Sequence, residues 1–585
     1  MAETKHLVMS DKKGVHALVT GAHAFGVRDV IICPGSRNAP FTISFSRSGL
    51  FRCHSIADER VAGFYALGMA LATKRPVLVV CTSGSAGINL GPALAEAFYL
   101  KAPVVAVTAD RPTAWVDQGN GQTIRQEGLF SNYIRGEYNV IGEPLSTDET
   151  WMNRRKISEL FNSIICGVPG PIHFNVPLSE PLYNTESYPL ESMPAFYRRA
   201  PLSEKADDTV VAECAEVFAS AKRVMVLIGQ MPKDAALNEV ARRLAAMPHV
   251  TVLTETTANI SAEGPITTID RLIMSIKDHH LLESLMPDLL ITAGGMIVSK
   301  RIKALLREFA PAHHWHINPH DEGLDTFRGL TLEIPADPAN FLGRMVASFE
   351  KMPESNYASL WERVKNPAHA AHLTYIASMP WSDFKAFDIL LSSLEGPIVM
   401  HMANSSAVRY VQLFGTQTGV EYHANRGTSG IDGSTSTAAG WARANPEADV
   451  VLITGDTAFM YDSNALWNNS MPQNLKIIVI NNEGGGIFRI IEGPAGTEEL
   501  EPFFEAHHPA SIRDIATAFG VNYLKAENGA ELIESVRDFK AAKGCTILEV
   551  KTHARKNAGV LKKYFKFIAG ELSAVDISHN QPQAK

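Results

Sequence analysis

Cysteine is scarce in this chain of 585 residues, which contains six cysteines and no C-x-x-C pair. Scattered cysteines of this kind provide no disulfide framework, so buried free thiols in a reducing cytoplasm are expected. No apolar run reaches the length of a membrane span, and the polar start over residues 1–11 has no signal-peptide core. The net charge is −8 with scattered Lys and Arg, which gives no basic surface for nucleic acid. We therefore expect a cytoplasmic protein with no membrane span and no nucleic-acid partner.

Two further signatures are missing from the sequence. Histidines cluster at 279–280, 313–316 and 507–508, but no cysteine or acid beside them has the spacing of a closed metal site. Structural or solvated roles are expected for them. No G-x-G-x-x-G motif occurs in residues 207–345, although that segment contains the strand-like runs of an α/β domain. A dinucleotide site in that segment is therefore unsupported.

A regular alternation of helices and strands is what the chain does contain. The length predicts about two to four domains. Strand-like apolar runs alternate with helical spacing in residues 12–110, 207–345 and 384–555, which predicts parallel, doubly wound sheets. The third segment repeats the element order of the first, which indicates a repeat of elements rather than of residues. Residues 185–205 and 353–380 read as linkers, the second with a short helix around 359–364.

Two strand ends in residues 450–488 carry the strongest chemical signal. The run 451–454 ends in Gly455-Asp456-Thr457, and the run 475–480 ends in Asn481-Asn482 before a glycine run. Ligands of open α/β sheets lie beyond such strand ends. A carboxylate, an amide oxygen and a backbone carbonyl suit Mg²⁺, and glycines let backbone N–H groups approach a diphosphate. Two ordinary turns would also explain these residues, because Gly-Asp and Asn-Asn are common turn dipeptides.

This stretch resembles the cofactor motif of the thiamine-diphosphate-dependent enzymes, with Thr457 where a third glycine is commonest. The resemblance implies an α/β fold of three doubly wound parallel-sheet domains: a pyrimidine-binding domain at 1–190, a central Rossmann-like domain at 206–350 and a diphosphate-binding domain at 380–585. It also implies thiamine diphosphate as cofactor with Mg²⁺ or Mn²⁺, the metal being held by Asp456, Asn482 and the carbonyl of Gly484. The residues that the resemblance places at the cofactor are Glu59, Ser83, Gly84, Asn404, Ser405, Gly430, Ile431, Gly455, Asp456, Thr457, Ala458, Asn482, Gly485, Ile487 and Phe488.

Glu59 is the candidate catalytic residue that this resemblance implies. In these enzymes a glutamate donates a hydrogen bond to the aminopyrimidine ring, which promotes the tautomer that activates the thiazolium carbon. Such a carboxyl must hold a proton at working pH, and burial raises a carboxyl pKa in that direction. The alternative is an acid at a helix start, favoured by the helix dipole. Ile431 matches the apolar side chain that supports the bent cofactor, and its alternative is a core isoleucine in a turn.

Arginines distinguish this chain within the superfamily. Arg37, Arg111, Arg409 and Arg426 all follow predicted strand ends, and arginine forks bind carboxylates with two hydrogen bonds. Each one alone is more often a surface residue. Together on one edge they indicate substrates with several carboxylates.

Longer blocks at 34–37, 58–60, 82–85, 108–112, 119–126 and 425–433 are similar to the branch of the superfamily that acts in menaquinone biosynthesis. That branch contains transferases of the transketolase/transaldolase class. They decarboxylate 2-oxoglutarate and add the succinyl-semialdehyde carbanion to isochorismate in a 1,4-addition. By this resemblance Ser405, Arg409 and Arg426 hold the 2-oxoglutarate-derived group, and isochorismate is held by Ser36, Arg37, Arg111, Gln122 and Lys300.

Some positions and alternatives stay open at this point. Lys300 and Arg301 would also read as a solvated pair of cations, and Glu483 departs from the residue expected after Asn482. The resemblance implies a homodimer with the active site at its interface, or a homotetramer. The alternative enzyme is another thiamine-diphosphate-dependent 2-oxoacid decarboxylase or an acetohydroxyacid-type synthase, which often carries FAD in its middle domain. A non-catalytic homologue would lack one of the core residues, all of which are present.

Overall fold

The computed structural model describes residues 6–201, 203–348, 352–491 and 493–573. Three parallel sheets, one in each predicted domain, form its frame, together with a small two-stranded antiparallel sheet. The predicted α/β fold with three parallel-sheet domains is therefore confirmed. The predicted boundaries at 1–190, 206–350 and 380–585 stay predictions, and their residues 1–5, 349–350, 492 and 574–585 lie outside the described residues.

The first domain is built on a six-stranded parallel sheet in the order β3-β2-β4-β5-β7-β6. Its central strands are buried along their whole length because helices cover both faces, which explains their Val-rich and Ile-rich runs. The strands of this sheet are β2 Asp29–Ile32, β3 Arg52–Ser55, β4 Val77–Cys81, β5 Val104–Asp110, β6 Glu137–Asn139 and β7 Ile172–Pro177. Its helices are α1 Lys13–Ala24, α2 Ala39–Arg47, α3 Glu59–Thr73, α4 Ser85–Asn89, α5 Gly91–Tyr99 and α6 Thr147–Ile165.

The predicted linker at 185–205 is wrong in its first five residues, which form a strand. The strand β1 His6–Ser10 pairs antiparallel with β8 Thr185–Pro189. Leu7 and Met9 of β1 are fully buried in the first domain, so the pair is anchored from that side. The residues of β8 are mostly exposed, apart from Tyr188, which packs against the first-domain core. Pairing with β1 rather than an apolar pattern makes this segment a strand, which composition does not reveal.

The middle domain has a five-stranded parallel sheet in the order β10-β9-β11-β12-β13. Sequence reasoning missed β12 because it contains three histidines. Two of these, His314 and His316, are buried and hydrogen-bond to Thr292 of the neighbouring strand. The strands are β9 Val224–Ile228, β10 Val250–Thr254, β11 Leu289–Ala293, β12 His313–Ile317 and β13 Leu332–Ile334. The helices are α7 Asp208–Ser220, α8 Ala235–Ala245, α9 Ile269–Ile273, α10 His279–Ser284, α11 Lys300–Glu308 and α12 Pro338–Ala347.

The second predicted linker is wrong in extent, because its short predicted helix at 359–364 is part of the 22-residue helix α13 Tyr357–Ser378, which fills most of the segment. Its buried residues include Tyr357, Trp361, Val364 and Ala368, at the three- and four-residue spacing of one helical face. The helix packs against α20 Ala554–Ser573 and against the middle domain, so it joins the second and third domains rather than merely linking them. The helix continues through Pro367, although a proline inside a helix removes one backbone hydrogen bond.

The third domain repeats the strand order of the first. Its six-stranded parallel sheet runs β15-β14-β16-β17-β19-β18, which is the order of β3-β2-β4-β5-β7-β6 strand for strand. The predicted repeat of elements is thus present, and β18 was missed. The strands are β14 Ile398–Met402, β15 Val420–His423, β16 Asp449–Gly455, β17 Leu475–Asn481, β18 Asn522–Ala526 and β19 Thr546–Lys551. The helices besides α20 are α14 Asp383–Ser393, α15 Ser406–Phe414, α16 Ser434–Ala444, α17 Asp456–Tyr461, α18 Ile512–Ala518 and α19 Gly529–Ala541.

The first and third domains meet where α3 crosses α16. A Cβ atom added at Gly68 of α3 would lie 2.0 Å from the carbonyl oxygen of Thr437, and one added at Gly440 of α16 would lie 2.0 Å from that of Tyr65. Each glycine therefore lets the other backbone approach, and the two domains share one apolar core. Within the described ranges no helix is both long and apolar enough to cross a bilayer.

Candidate active site

The carboxyl end of β16 carries a buried acid at the start of α17. Asp456 is 2% exposed. Its Oδ1 accepts hydrogen bonds from the backbone N–H of Thr457 at 2.6 Å, and its Oδ2 accepts one from the N–H of Gly484 at 3.0 Å. Burial raises the pKa of this carboxyl from its ordinary value, and these hydrogen bonds oppose that shift. The acid therefore ties the two strand ends of the predicted cofactor motif to each other.

The amide of Asn482 follows β17 at the same edge of the sheet. Its Nδ2 donates to Asp383 Oδ2 at 3.1 Å, whereas its Oδ1 is buried without a hydrogen-bond partner among the described residues. A buried polar atom without a partner requires explanation, and an ion that binds to that atom is one of the ordinary explanations. A carboxylate and an orphaned amide oxygen fit a hard divalent cation. The described part of the chain holds no cluster of three His, Cys, Asp or Glu side chains suited to a metal.

The glycine turn after Asn482 has a backbone that other residues would not tolerate. Gly484 has a φ of +151°, and a Cβ there would lie 2.5 Å from the carbonyl oxygen of Glu505. Glu483, the residue that departs from the motif, has a φ of +69° and points out to an ion pair with Lys551 at 3.2 Å. It therefore stays clear of the predicted ligand atoms. The same turn continues through Gly485, Ile487 and Phe488, and all three residues are partly exposed.

A second loop pair at this edge is held together by Asn404. Its Nδ2 donates to the carbonyl of Asn425 at 2.6 Å and to that of Gly430 at 2.7 Å, while its Oδ1 accepts from Arg426 Nη1 at 2.7 Å. This places the end of β14 beside the loop that carries Gly430 and Ile431. Ser405, the next residue, has a φ of +71°, an unusual backbone conformation for serine. Ile431 is half-buried against the core of the third domain.

Charged residues of two domains gather near this loop. Arg426 is 7% exposed; burial lowers the pKa of its guanidinium from its ordinary value, and Arg409 acts in the same direction. A cavity of about 490 Å³ between the middle and third domains is lined by Arg409 and also by Lys300 at the start of α11. Ile487 and Asp270 line it too. The resemblance predicts that Lys300 holds isochorismate and that Arg409 holds the 2-oxoglutarate-derived group. Within one chain, these two residues therefore line the same cavity.

The edge of the first-domain sheet carries the remaining predicted residues. Glu59 is the first residue of α3 and is half-buried; burial raises the pKa of its carboxyl from its ordinary value. Gly84, with a φ of +85°, donates its N–H to Gln126 Oε1 at 2.9 Å and lies against Gln122. The side chain of Ser83 before it is buried, and its hydroxyl has no partner among the described residues.

Two arginines of that edge lie near each other. Arg37 is 4% exposed and donates from Nη1 to the carbonyl of Leu178 and from Nη2 to Glu180, both at 3.1 Å. Burial lowers the pKa of its guanidinium, and the nearby Arg111 adds to the effect. Ser36 and Gln122 are exposed at the same edge.

Within one chain the predicted residues therefore form two groups, one at each edge. No hydrogen bond or ion pair joins Glu59 to Asp456 in the described residues. The start of α3 does contact the end of α17, because Arg60 Nη2 donates to the carbonyl of Tyr461 and Asp58 Oδ2 accepts from Asn464, both at 2.7 Å. A larger cavity of about 650 Å³, at the carboxyl edge of the middle-domain sheet, is lined by none of the predicted residues.

Sequence reasoning missed several residues around these edges. His508 Nε2 lies 3.7 Å from Asp456 Oδ2, and His507 Nδ1 donates to the carbonyl of Glu483 at 2.6 Å. Glu96, fully buried in α5, accepts from the backbone N–H groups of Gly427 and Thr428 at 2.7 Å each. The histidine pair was noted in the sequence but was expected to be structural or solvated, and Glu96 carried no local signal because its partners lie 331 and 332 positions away.

A buried acid in the middle domain was missed as well. Glu255 accepts from the backbone N–H groups of Val298 and Ser299 at 2.6 and 2.7 Å, directly before Lys300. Burial raises the pKa of the Glu255 carboxyl to about 7. This acid therefore fixes the start of α11, the element that brings Lys300 to the cavity.

Comparison with known proteins places this site in a class. The chain matches the families described as "Thiamine pyrophosphate enzyme, N-terminal TPP binding domain" over residues 12–129, "Middle domain of thiamine pyrophosphate" over 198–371 and "Thiamine pyrophosphate enzyme, C-terminal TPP binding domain" over 404–550. These matches cover the two sheet edges described above and the sheet between them. The chain belongs to the thiamine pyrophosphate enzymes.

Within that class the similarity is specific. The chain is 41% identical over 575 residues to the 2-succinyl-5-enolpyruvyl-6-hydroxy-3-cyclohexene-1-carboxylate synthase of Porphyromonas gingivalis, a match that covers 96% of this chain and 98% of the relative. It is 41% identical to the synthase of that name from Flavobacterium psychrophilum, over 92% of this chain and 96% of the relative. The counterpart in Bacteroides fragilis is 36% identical, over 95% and 99%. The chain is a member of this family of synthases.

Proposed function

We propose that this chain catalyses the synthase reaction of its family, in the pathway to menaquinone: thiamine-diphosphate-dependent decarboxylation of 2-oxoglutarate and 1,4-addition of the remaining succinyl group to isochorismate. The observation that carries the proposal is the buried pair of Asp456 and the orphaned Asn482 Oδ1 at one sheet edge, next to a cavity lined by Arg409 and Lys300. Both substrates are dicarboxylates, and cationic side chains are what such substrates need.

The bound cofactor would be held at the edge of the third domain. Asp456, Asn482 and the carbonyl of Gly484 would hold Mg²⁺ or Mn²⁺, with the glycine turn facing a diphosphate. Thiamine diphosphate, when bound, supplies the carbon nucleophile for decarboxylating a 2-oxoacid and transferring the remaining group. The further cofactor positions would be Ser83 and Gly84 in the first domain and, in the third, Ser405, Ile431, Thr457, Ala458 and Phe488.

Glu59 is the residue to which we assign the carboxyl proton that the cofactor ring needs. Because burial raises the pKa of the Glu59 carboxyl, this side chain holds its proton to a higher pH than an exposed glutamate does. A protonated carboxyl donates a hydrogen bond, which an ionised one cannot. The role of Glu59 is therefore to donate that hydrogen bond to the cofactor ring.

Substrate binding divides between the two edges. Ser405, Arg409 and Arg426 would hold the carboxylates of the 2-oxoglutarate-derived group. Ser36, Arg37, Arg111, Gln122 and Lys300 would hold isochorismate. The low exposure of Arg37 and Arg426 strengthens their ion pairs with a bound carboxylate, because screening by solvent is weak at buried sites.

The activity is tested by a two-substrate assay. Purified protein with thiamine diphosphate and Mg²⁺ should consume isochorismate only when 2-oxoglutarate is present, and mass detection should find the adduct less CO₂. Consumption of isochorismate without 2-oxoglutarate would contradict the proposal. If a 2-oxoacid is decarboxylated at the same rate with and without isochorismate, the result would instead favour a simple decarboxylase.

A homodimer is part of the proposal, and a tetramer would be built from two such dimers. Glu59 is half-buried at one edge, and no hydrogen bond or ion pair joins it to Asp456 among the described residues of one chain, so a second copy would bring the two edges together. The cytoplasmic location stays a prediction from the sequence.

A mixing experiment tests this interface. Glu59→Gln and Asp456→Ala proteins should each be inactive, because every site lacks one residue. If sites form between subunits, each mixed dimer has one intact site, and refolding the two variants together should restore about one quarter of wild-type activity. No regain of activity would place both residues of each site in one chain.

A further inference from the structure

The side-chain amide of Asn482 has one end occupied and one end free. Nδ2 donates to Asp383 Oδ2 at 3.1 Å, whereas Oδ1 is buried and has no hydrogen-bond partner among the described residues. Only the oxygen of an amide can bind a cation, since the nitrogen has no lone pair to offer. Whether Asn482 can act as a metal ligand therefore depends on which end of its amide faces the Asp456 side.

The carboxylate of Asp383 determines that orientation. Both oxygens of this carboxyl accept hydrogen bonds in the structure, Oδ1 from the hydroxyl of Thr552 and Oδ2 from the NH₂ group of Asn482. The oxygen end of the Asn482 amide then points away from Asp383.

Asp383 is itself held by residues from two other elements. It is 2% exposed at the start of α14, and its Oδ1 accepts a hydrogen bond from the hydroxyl of Thr552, directly after β19. Its backbone N–H donates to Asn557 Oδ1 of α20 at 2.9 Å, and Asn557 Nδ2 donates to Thr552 Oγ1 at 3.2 Å. The Thr552 hydroxyl donates to Asp383 and accepts from Asn557, so a displaced Asp383 side chain would lose the hydrogen bonds from Thr552 and Asn482 together.

We propose that Asp383 is a positioning residue that sets the side-chain amide of Asn482 so that its oxygen, not its nitrogen, faces the divalent cation. The inference rests on the metal site of the proposed function, and it adds a residue that lies 99 positions before Asn482 in the sequence. Outer residues that orient a metal ligand commonly affect metal affinity about 10- to 100-fold.

The first test replaces the carboxylate by an amide. Asp383→Asn should weaken Mn²⁺ binding in the presence of thiamine diphosphate by about 10- to 100-fold, measured by electron paramagnetic resonance of free Mn²⁺. The matched control is Asp462→Asn, another fully buried acid of this domain that accepts hydrogen bonds from Ser436 and touches no predicted ligand. Unchanged Mn²⁺ affinity in Asp383→Asn, with wild-type binding intact, would overturn the inference.

The second test exchanges the two side chains. In the double variant Asp383→Asn with Asn482→Asp, the ligand at 482 is a carboxylate whose two oxygens both accept, so it needs no orientation, and the amide at 383 can donate to it. We expect the double variant to bind Mn²⁺ within about threefold of wild type. Each single variant should bind Mn²⁺ more weakly. In Asn482→Asp the reason is that two carboxylates are placed in contact. A double variant no better than Asp383→Asn would contradict a positioning role, since a merely structural acid would not be rescued by its neighbour.

The third measurement needs no variant, so it stands even if Asp383→Asn does not fold. A crystal structure of the wild-type protein with thiamine diphosphate and Mn²⁺ should show Asn482 Oδ1 on the metal and Nδ2 on Asp383. Asp383 bound to the metal, or Asn482 turned away from it, would overturn the inference. Failure of the wild-type protein to bind Mn²⁺ at all would instead overturn the proposed metal site.

Discussion

The first and third domains have the same sheet and different edges. Both contain six parallel strands in one order, and in both the helix after the second strand of the domain crosses its counterpart, α3 against α16. Yet the first-domain edge places Glu59 directly after its second strand, whereas the third-domain edge places Asp456 and Asn482 after its third and fourth strands. The common topology explains where a ligand can lie, and the loop residues decide what each edge does to it.

The two edges also hold their acids differently. Glu59 is half-buried, and the hydrogen bond recorded for its carboxyl comes from its own backbone N–H. Asp456 accepts three hydrogen bonds, from the N–H and the hydroxyl of Thr457 and from the N–H of Gly484. A carboxyl that no other described residue holds is free to donate a proton or hydrogen bond to a ligand, and a carboxylate held by donors is ready to bind a cation. We therefore expect the first edge to act in turnover and the third in binding.

The largest expected effect separates those two roles at Glu59. Glu59→Gln should lower kcat by about 10²- to 10⁴-fold, the usual contribution of a positioned acid or base, with little change in cofactor affinity. Turnover is measured with both substrates, and affinity by calorimetric titration with thiamine diphosphate and Mg²⁺. The control is Glu191→Gln, an exposed glutamate directly after that domain, which should match wild type. Equal losses of turnover and affinity in Glu59→Gln would erase the distinction between the two edges.

The next effect compares how two buried acids depend on pH. Burial raises the pKa of Asp462 in the third domain to about 6, with the hydrogen bonds from Ser436 opposing the shift. Its contribution to stability is therefore full below the unfolded pKa near 4 and is lost as pH rises through about 6. Wild type should lose about 3 kcal/mol relative to Asp462→Asn over that window, measured by urea unfolding.

The first-domain counterpart for that comparison is Asp29. Burial acts to raise its pKa, but hydrogen bonds from His54 and Arg52 outweigh burial and lower it. The stability that Asp29 contributes is present above the ordinary aspartate pKa and is lost as pH falls through the lowered value. Asp29→Asn should therefore show the opposite trend to Asp462→Asn. Parallel trends in the two variants would show that the domains do not differ in this respect.

The third effect tests the crossing that the two domains share. Gly68→Ala and Gly440→Ala should each lower the free energy of unfolding by about 1–3 kcal/mol, because the added methyl group meets backbone oxygen rather than a movable side chain. Gly559→Ala in α20 is the control: nothing lies within 4 Å of the added atom, and alanine there should be neutral or stabilising by up to about 1 kcal/mol. A large effect at one crossing glycine and none at the other would show that the crossing is not symmetric.

The smallest expected effect is on stability and concerns Glu96 of the first domain, which accepts hydrogen bonds from the third-domain loop at Gly427 and Thr428. Glu96→Gln replaces one acceptor oxygen by NH₂ opposite the donors of Gly427 and Thr428, and should destabilise the protein by about 1.5 kcal/mol. Urea unfolding measures the change, and Thr428→Ser, which keeps the hydroxyl that Glu96 also accepts from, is the control. Glu96→Gln with wild-type stability would mean that this loop is held without the first domain.

Much of the fold could be predicted because its strands are continuous apolar runs. The runs at 77–81 and 475–480 are strands almost residue for residue. The failures share one physical cause, which is stabilisation by partners rather than by composition. The histidines of β12 are buried through hydrogen bonds to Thr292, β8 is a strand through pairing with β1, and α13 is a long helix despite Pro367.

The candidate site divides in the same way. Asp456 and Asn482 stand out because two strand ends of one motif carry them close together in sequence. Asp383 and Glu96 could not be found, since each is a single acid near a helix start or inside a helix, with partners 99 and 331 positions away. His508 was read as structural or solvated because the chain nearby offers no second ligand, although folding places it beside Asp456.

The sequence by itself determined the alternation that folds into three parallel sheets, the cofactor loop and the family, because these depend on local periodicity and on short blocks of residues. Only the tertiary structure decided which end of the Asn482 amide is free, which acid holds the loop before Ile431, and that Lys300 shares a cavity with Arg409. Hydrogen bonds and cavities between distant segments exist only after the chain has closed on itself, so no local pattern can encode them visibly.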